Sequence, residues 1–141
     1  MIDIFSHVII SLLVGFSFWY FFDKKNSQVL ITSLFFALLS GVFVDLDHLF
    51  DYVMAYGFQW DLQKFFAEDY FTIHNYVLFH GFEYVFLFGL LTAFTDSKTK
   101  KLYYMILATS LFLHLAVDIV ISGSEVKNYF LIYRILTGFS A

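Results

Sequence analysis

The sequence predicts an all-α membrane protein, a polytopic four-helix bundle with a short interfacial helix between its second and third spans. Three observations predict it. Hydrophobic residues make up 60% of the 141 positions and charged ones only 14%, more apolar surface than a soluble domain of this length can bury. The apolar residues gather in four long runs, each near the roughly 20 residues that cross a hydrocarbon core of about 30 Å. Proline is absent, so no helix carries a kink imposed by that residue. The same composition narrows function. A formal net charge of −4 with no basic run argues against nucleic acid as a partner. Absence of cysteine removes disulfides, thiolate metal sites and cysteine nucleophiles together.

The elements follow in order, within a single transmembrane domain spanning 1–141. Span one covers 4–22; its "MIDIFSHVIISLLVG" start lacks the basic beginning and cleavage site of a secretory signal and reads as a retained anchor. Span two covers 28–50, with its acidic end at the interface. Residues 52–72 are aromatic and acidic, which suits an amphipathic segment lying at the interface. Spans three and four cover 73–95 and 102–122. The tail, 126–141, is too short in apolar run to span, and is expected at the interface or against the bundle. Trp19 and Trp60 are expected as inner and outer interfacial anchors. Lys24 and Lys25 lie in the turn between spans one and two; Lys98, Lys100 and Lys101 lie in the turn between spans three and four. The positive-inside rule places both lysine turns in the cytoplasm, and both termini and the long loop outside a cytoplasmic membrane.

With that orientation every histidine and acid within the spans falls at the outer end: His7 in span one, Asp45, Asp47, His48 and Asp51 closing span two, His80 and Glu83 in span three, His114 and Asp118 in span four. Ionisable groups at membrane depth cost about 2.5–3.5 kcal/mol or more each, and persist when they pair, bind an ion or line a wet cavity. "DLDH" and "HGFE" separate histidine from acid by three positions and "HLAVD" by four, spacings that share one helical face. Such pairs on several facing helices build metal sites in bundle cores. The expected ligands are His7, Asp45, His48, His80, His114 and Asp118. They are all nitrogen and oxygen donors, which suits Zn2+ and also Mn2+ or Fe2+, as one ion or two. Glu83 is a further candidate ligand or, where it is not one, the expected general base, with Asp47 and Asp51 in reserve. Plainer readings stand beside these. A lone intramembrane histidine is more often a hydrogen-bonded core residue, His114–Asp118 alone can lock a helix, and "DLDHLFD" alone can be a solvated cap. His74 is expected to cap the outer end of span three, and Asp3 to orient His7 or sit in water.

In their order along the chain, His7, "VDLDH", "FHGFE" and "HLAVD" resemble the prokaryotic membrane-bound metal-dependent hydrolases, small proteins of about four spans, over nearly the whole chain. The late "HxxxD" is also distantly similar to that of zinc-dependent phospholipase C. Two departures stand out. Val44 occupies the place of the usual proline, and "HGFE" stands where the family often has "HRGxTH", so an arginine that could meet an anionic substrate is not supplied there. The resemblance implies metal-assisted hydrolysis. A site at the interface would meet a membrane lipid or lipid-linked ester or phosphoester. The rival expectations are a transporter or metal-ion-binding membrane protein without hydrolytic activity, and a polar cluster that only holds the bundle together.

Overall fold

The computed structural model describes residues 4–67 and 76–139, and every regular element among them is helical. The order is α1 (Ile4–Asp23), α2 (Ser27–Gly41), a 3-10 turn (Phe43–Asp47), α3 (His48–Tyr56), α4 (Leu62–Ala67), α5 (Phe82–Phe94), α6 (Lys98–Ser122), a second 3-10 turn (Val126–Tyr129) and α7 (Leu131–Leu136). The lysine-bearing turns are capped by their own sequence. The Asn26 side chain accepts from the Gln28 N–H to start α2, and Ser97 accepts from Lys100 to start α6, each occupying a donor that the first helical turn leaves open.

Three helical stretches are long and apolar enough to cross a membrane: Ile4–Asp23, Ser27–Tyr56 and Lys98–Ser122. The fourth expected span, 73–95, differs. Among the described residues its helix runs only from Phe82 to Phe94, because residues 76–81 form a non-helical turn that ends at an extended Gly81. Thirteen residues at 1.5 Å each reach about 20 Å, short of the hydrocarbon core. Span two, conversely, continues beyond residue 50, to Tyr56. Its acidic end tightens into the 3-10 turn rather than stopping the helix. The expected positions of Asp3 and His74 lie outside the described residues, as does the end of the 52–72 segment.

α6 packs against α1, α2 and α5, and α1 packs against α2. The contact faces can be read from the sequence. On α6, Leu102, Ile106, Ser110, His114 and Asp118 recur every fourth position, the repeat of one helix face, and the first four are buried. α1 turns in His7, Ser11, Val14 and Gly15; α2 turns in Ser33, Ala37, Ser40 and Gly41. Six of these eight are Gly, Ala or Ser, and at Gly15 the backbones are close: a methyl group there would lie 3.0 Å from the Leu34 Cα. Small side chains at helix interfaces are how membrane helices gain packing without a hydrophobic driving force.

The outside is the reverse of a soluble protein's. Phe5, Ile9, Leu13, Phe35, Phe86 and Phe94 are all exposed, whereas the buried set among the described residues holds as many polar as apolar side chains. Two apolar clusters frame the polar region, Val14–Ala37–Leu102–Ile106 toward the lysine turns and Val44–Leu111–Leu115 beside α5.

Candidate metal centre

Two helix irregularities build the site. After Gly41 the chain tightens to 3-10 geometry, and the Asp45 N–H bonds to the Val42 carbonyl at 3.2 Å. The Gly41 carbonyl then receives His114 Nδ1 at 3.1 Å. A carbonyl only accepts, so Nδ1 of His114 carries the hydrogen, and in the neutral ring Nε2 presents a lone pair. Short 3-10 stretches inside a helix commonly mark functional positions.

The second irregularity is the 76–81 turn. Its backbone groups cannot meet a helical ladder, and a buried group left unmet costs about 1–3 kcal/mol. Charged side chains meet them instead. Asp51 accepts the Tyr76 and Val77 N–H groups at 2.6 and 2.9 Å, and Asp47 accepts that of Phe79 at 2.6 Å. Arg134 donates to the carbonyls of Tyr76, Val77 and His80 at 2.9, 2.6 and 2.8 Å. Val77 is held at φ +24°, a conformation that a β-branched residue adopts only under constraint. The turn delivers His80, whose Nδ1 lies 3.1 Å from Asp47.

Four ligand atoms then converge. His80 Nε2 and His114 Nε2 are 3.0 Å apart. Asp45 Oδ1 lies 3.1 and 3.3 Å from them, and Asp118 Oδ2 lies 3.8 and 3.1 Å from them. Around the four stand further partners. His7 Nε2 holds the second Asp118 oxygen at 3.1 Å, and His48 Nε2 sits 3.5 Å from Asp45 Oδ1. The other Asp45 oxygen, Oδ2, is buried without a hydrogen-bond donor.

These buried groups can hold a metal ion; three overlapping sets qualify by distance, His7–His114–Asp118, Asp45–His80–His114 and Asp47–His48–His80. The chemistry fits as well as the distances. Donors about 2.0–2.1 Å from a tetrahedral ion lie about 3.4 Å from one another, close to the separations here. Both His80 and His114 have Nδ1 on an acceptor, the arrangement that fixes the tautomer of a metal-ligating imidazole and aims Nε2 at the ion. The two Nε2 atoms, 3.0 Å apart, are close enough to share one proton or, with both unprotonated, to ligate one cation. Charge is paired throughout the region: Asp45 and Asp118 face imidazoles, and Asp47 and Asp51 lie near one buried guanidinium, as buried charge requires. That guanidinium, Arg134, is pushed down from its ordinary pKa by burial, against the charges of Asp47, Glu83 and Asp51.

The structure therefore brings His7, Asp45, His48, His80, His114 and Asp118 together. The three residues expected to do acid–base work lie otherwise. Glu83 is turned away: its oxygens accept the Leu131 and Ile132 N–H groups at 3.0 Å each, capping α7. The three-residue spacing of His80 and Glu83 signals a shared face only within a helix, and α5 begins after His80, at Phe82. Asp47 and Asp51 are buried and committed to the 76–81 turn. Two participants were not expected, the Gly41 carbonyl and Arg134. The second had a signal, since it is the only arginine in the sequence and stands in the apolar run "YFLIYRIL".

Comparisons with protein-family models, with curated proteins and with solved structures give no match to this chain.

Proposed function

We propose that the protein is a membrane-embedded metal-dependent hydrolase that cleaves a lipid-linked ester or phosphoester at the outer face of a cytoplasmic membrane. The observation that supports it most is the facing pair of imidazole nitrogens on His80 and His114, flanked by one oxygen each from Asp45 and Asp118. In this reading these four residues hold one divalent ion, Zn2+ by donor type. His7 steadies Asp118, and Asp47 steadies His80. A bound ion of this kind acidifies water and polarises the bond under attack.

The chain's own part is orientation and proton transfer. Of the imidazoles, His7, His80 and His114 are the more deeply buried, while His48 is 13% exposed beside an equally exposed Asp45. In this reading His48, the most exposed of the four imidazoles, takes the proton from the attacking water, with Asp45 3.5 Å from its Nε2 to stabilise the imidazolium. It replaces Glu83, whose oxygens are occupied elsewhere. The neighbours Phe43, Leu46, Leu49 and Phe50 are exposed and apolar, so a substrate reaching this flank passes acyl-compatible surface. That favours a lipid over a soluble molecule.

Elemental analysis of purified protein, paired with chelator-sensitive hydrolysis of lipid phosphoesters and esters in mixed micelles, tests the reading. One ion per chain and loss of both ion and activity in His114→Ala are expected; His48→Gln should retain the ion and lose about 10²- to 10⁴-fold in rate. Wild-type protein that binds no ion, or hydrolyses nothing when loaded, ends the proposal. One observation favours a second reading, ion passage. Ser11, Ser33, Ser40 and Ser110 are buried beyond the cluster, and the Ser11 and Ser33 hydroxyls have no hydrogen-bond partner. Metal uptake into proteoliposomes without hydrolysis would select it.

A further inference from the structure

Arg134 is 3% exposed and spends its terminal nitrogens on three carbonyls of one turn, none of them part of α7. One of these carbonyls belongs to His80 itself, whose Nε2 faces His114. The same turn is held by Asp47 and Asp51 through its N–H groups. Glu83 in turn fixes the start of α7, the helix that carries Arg134. The 76–81 turn is thus gripped through its donors by the acidic end of span two and through its acceptors by the C-terminal segment. A planar fork with several fixed donors suits adjacent carbonyls in a way that a lysine ammonium does not.

We propose that Arg134 is a positioning residue for the metal centre: by clasping the carbonyls of Tyr76, Val77 and His80 it sets the direction from which His80 Nε2 meets the ion. The inference rests on the metal-centre reading and assigns the C-terminal segment a role in it. An arginine contributed by the tail, rather than by the histidine motif, then serves the site from outside. It touches neither ion nor substrate.

Co2+ binding to the full chain in detergent, followed by its visible absorption and by competition with a chromophoric chelator, tests this. R134A should weaken Co2+ binding about 10- to 100-fold, as loss of a ligand's supporting partner does, and should alter the absorption band. Millimolar guanidinium should restore both, while equal concentrations of urea or sodium chloride should not. Gly15→Ala, destabilised far from the site, serves as control and should bind Co2+ as wild type does. Should R134A not fold, R134K carries the test, with charge kept, binding weakened and the band altered. Wild-type-like Co2+ affinity and spectrum in R134K or R134A overturn the inference while leaving the metal centre standing. So does a loss matched by Gly15→Ala and not rescued by guanidinium. Wild-type protein that binds no Co2+ overturns the metal centre itself.

Discussion

At the scale of single residues, the division of labour among the acids follows from what each oxygen touches. Asp47 accepts one backbone N–H and one imidazole, whereas Asp51 accepts two backbone N–H groups and no imidazole. Asp47→Ala should therefore weaken metal binding about 10- to 100-fold, because it removes the oxygen that accepts from both the Phe79 N–H and His80 Nδ1. Asp51→Asn should chiefly lower thermal stability, by about 1–3 kcal/mol for a buried donor left unmet, with a smaller effect on affinity. A chelator competition beside a melting curve separates the two; equal effects on affinity would refute this assignment. Glu83→Gln tests the residue that the sequence put forward as base. The amide keeps one acceptor oxygen for the start of α7, so turnover per bound ion should change little, where loss of a general base would cost about 10²- to 10⁴-fold. Single-turnover hydrolysis by metal-loaded protein gives the answer. The place of Glu83 beside α7 was not legible for a definite reason: "HGFE" resembles "DLDH" and "HLAVD" in spacing, and spacing carries directional meaning only once the helix start is known. Nothing in the letters places that start at Phe82 instead of before His80.

At the scale of elements, the glycines separate packing from site geometry. A methyl group on Gly41 would land on the hydroxyls of Ser11 and Ser110, the residues one turn from His7 and His114. The same glycine offers its carbonyl to His114. Gly41→Ala should therefore lower stability and metal affinity together, since α1 and α6 must both shift against α2. Gly15→Ala meets the Leu34 backbone instead and lies on the side of His7 away from the cluster. Overpacking there should cost about 1–3 kcal/mol without changing affinity. Unfolding in mixed micelles and metal competition on both variants check this, and unchanged affinity in Gly41→Ala would show that α2 and α6 do not hold His114 as described. Two kinds of information divide at this level. The long helices were legible, because apolar runs and lysine-bearing turns leave a composition signal over 20 or so residues. The 3-10 turn and the 76–81 turn were not. Both take part in hydrogen bonds to residues more than 20 positions away, Asp47 with Phe79 for the first and Arg134 with Val77 for the second, and no local pattern encodes those. Convergence of four histidines was legible in part, because placing all polar residues at one end required only a topology. Which nitrogen faces which oxygen required coordinates.

For the whole molecule, the consequence of the fold is polarity along the bundle axis. His7 precedes the end of α1 at Asp23 by 16 residues, about 24 Å of helix, and Lys24 and Lys25 follow directly. His114 likewise follows the start of α6 at Lys98 by 16 residues. The cluster and the lysine turns therefore occupy opposite ends, and whichever side holds the lysines determines the side that the site faces. Insertion retains lysine-rich short loops in the cytoplasm, so the site should open outward. The absence of cysteine makes this directly measurable. Thr99, in the first turn of α6 among the lysines, and Asn128, in the segment beyond α6, are both exposed. In intact cells a membrane-impermeant maleimide should label Asn128→Cys and leave Thr99→Cys unlabelled until the membrane is opened. The reverse pattern would turn the molecule over and put the metal centre on the cytoplasmic side, where its substrate would have to come from the inner leaflet. Labelling of both positions in intact cells would mean that α6 does not cross the membrane. Reversing the charges of Lys24, Lys25, Lys98, Lys100 and Lys101 to glutamate should weaken the preference and yield mixed labelling, because the bias arises from those five residues and not from the cluster they oppose.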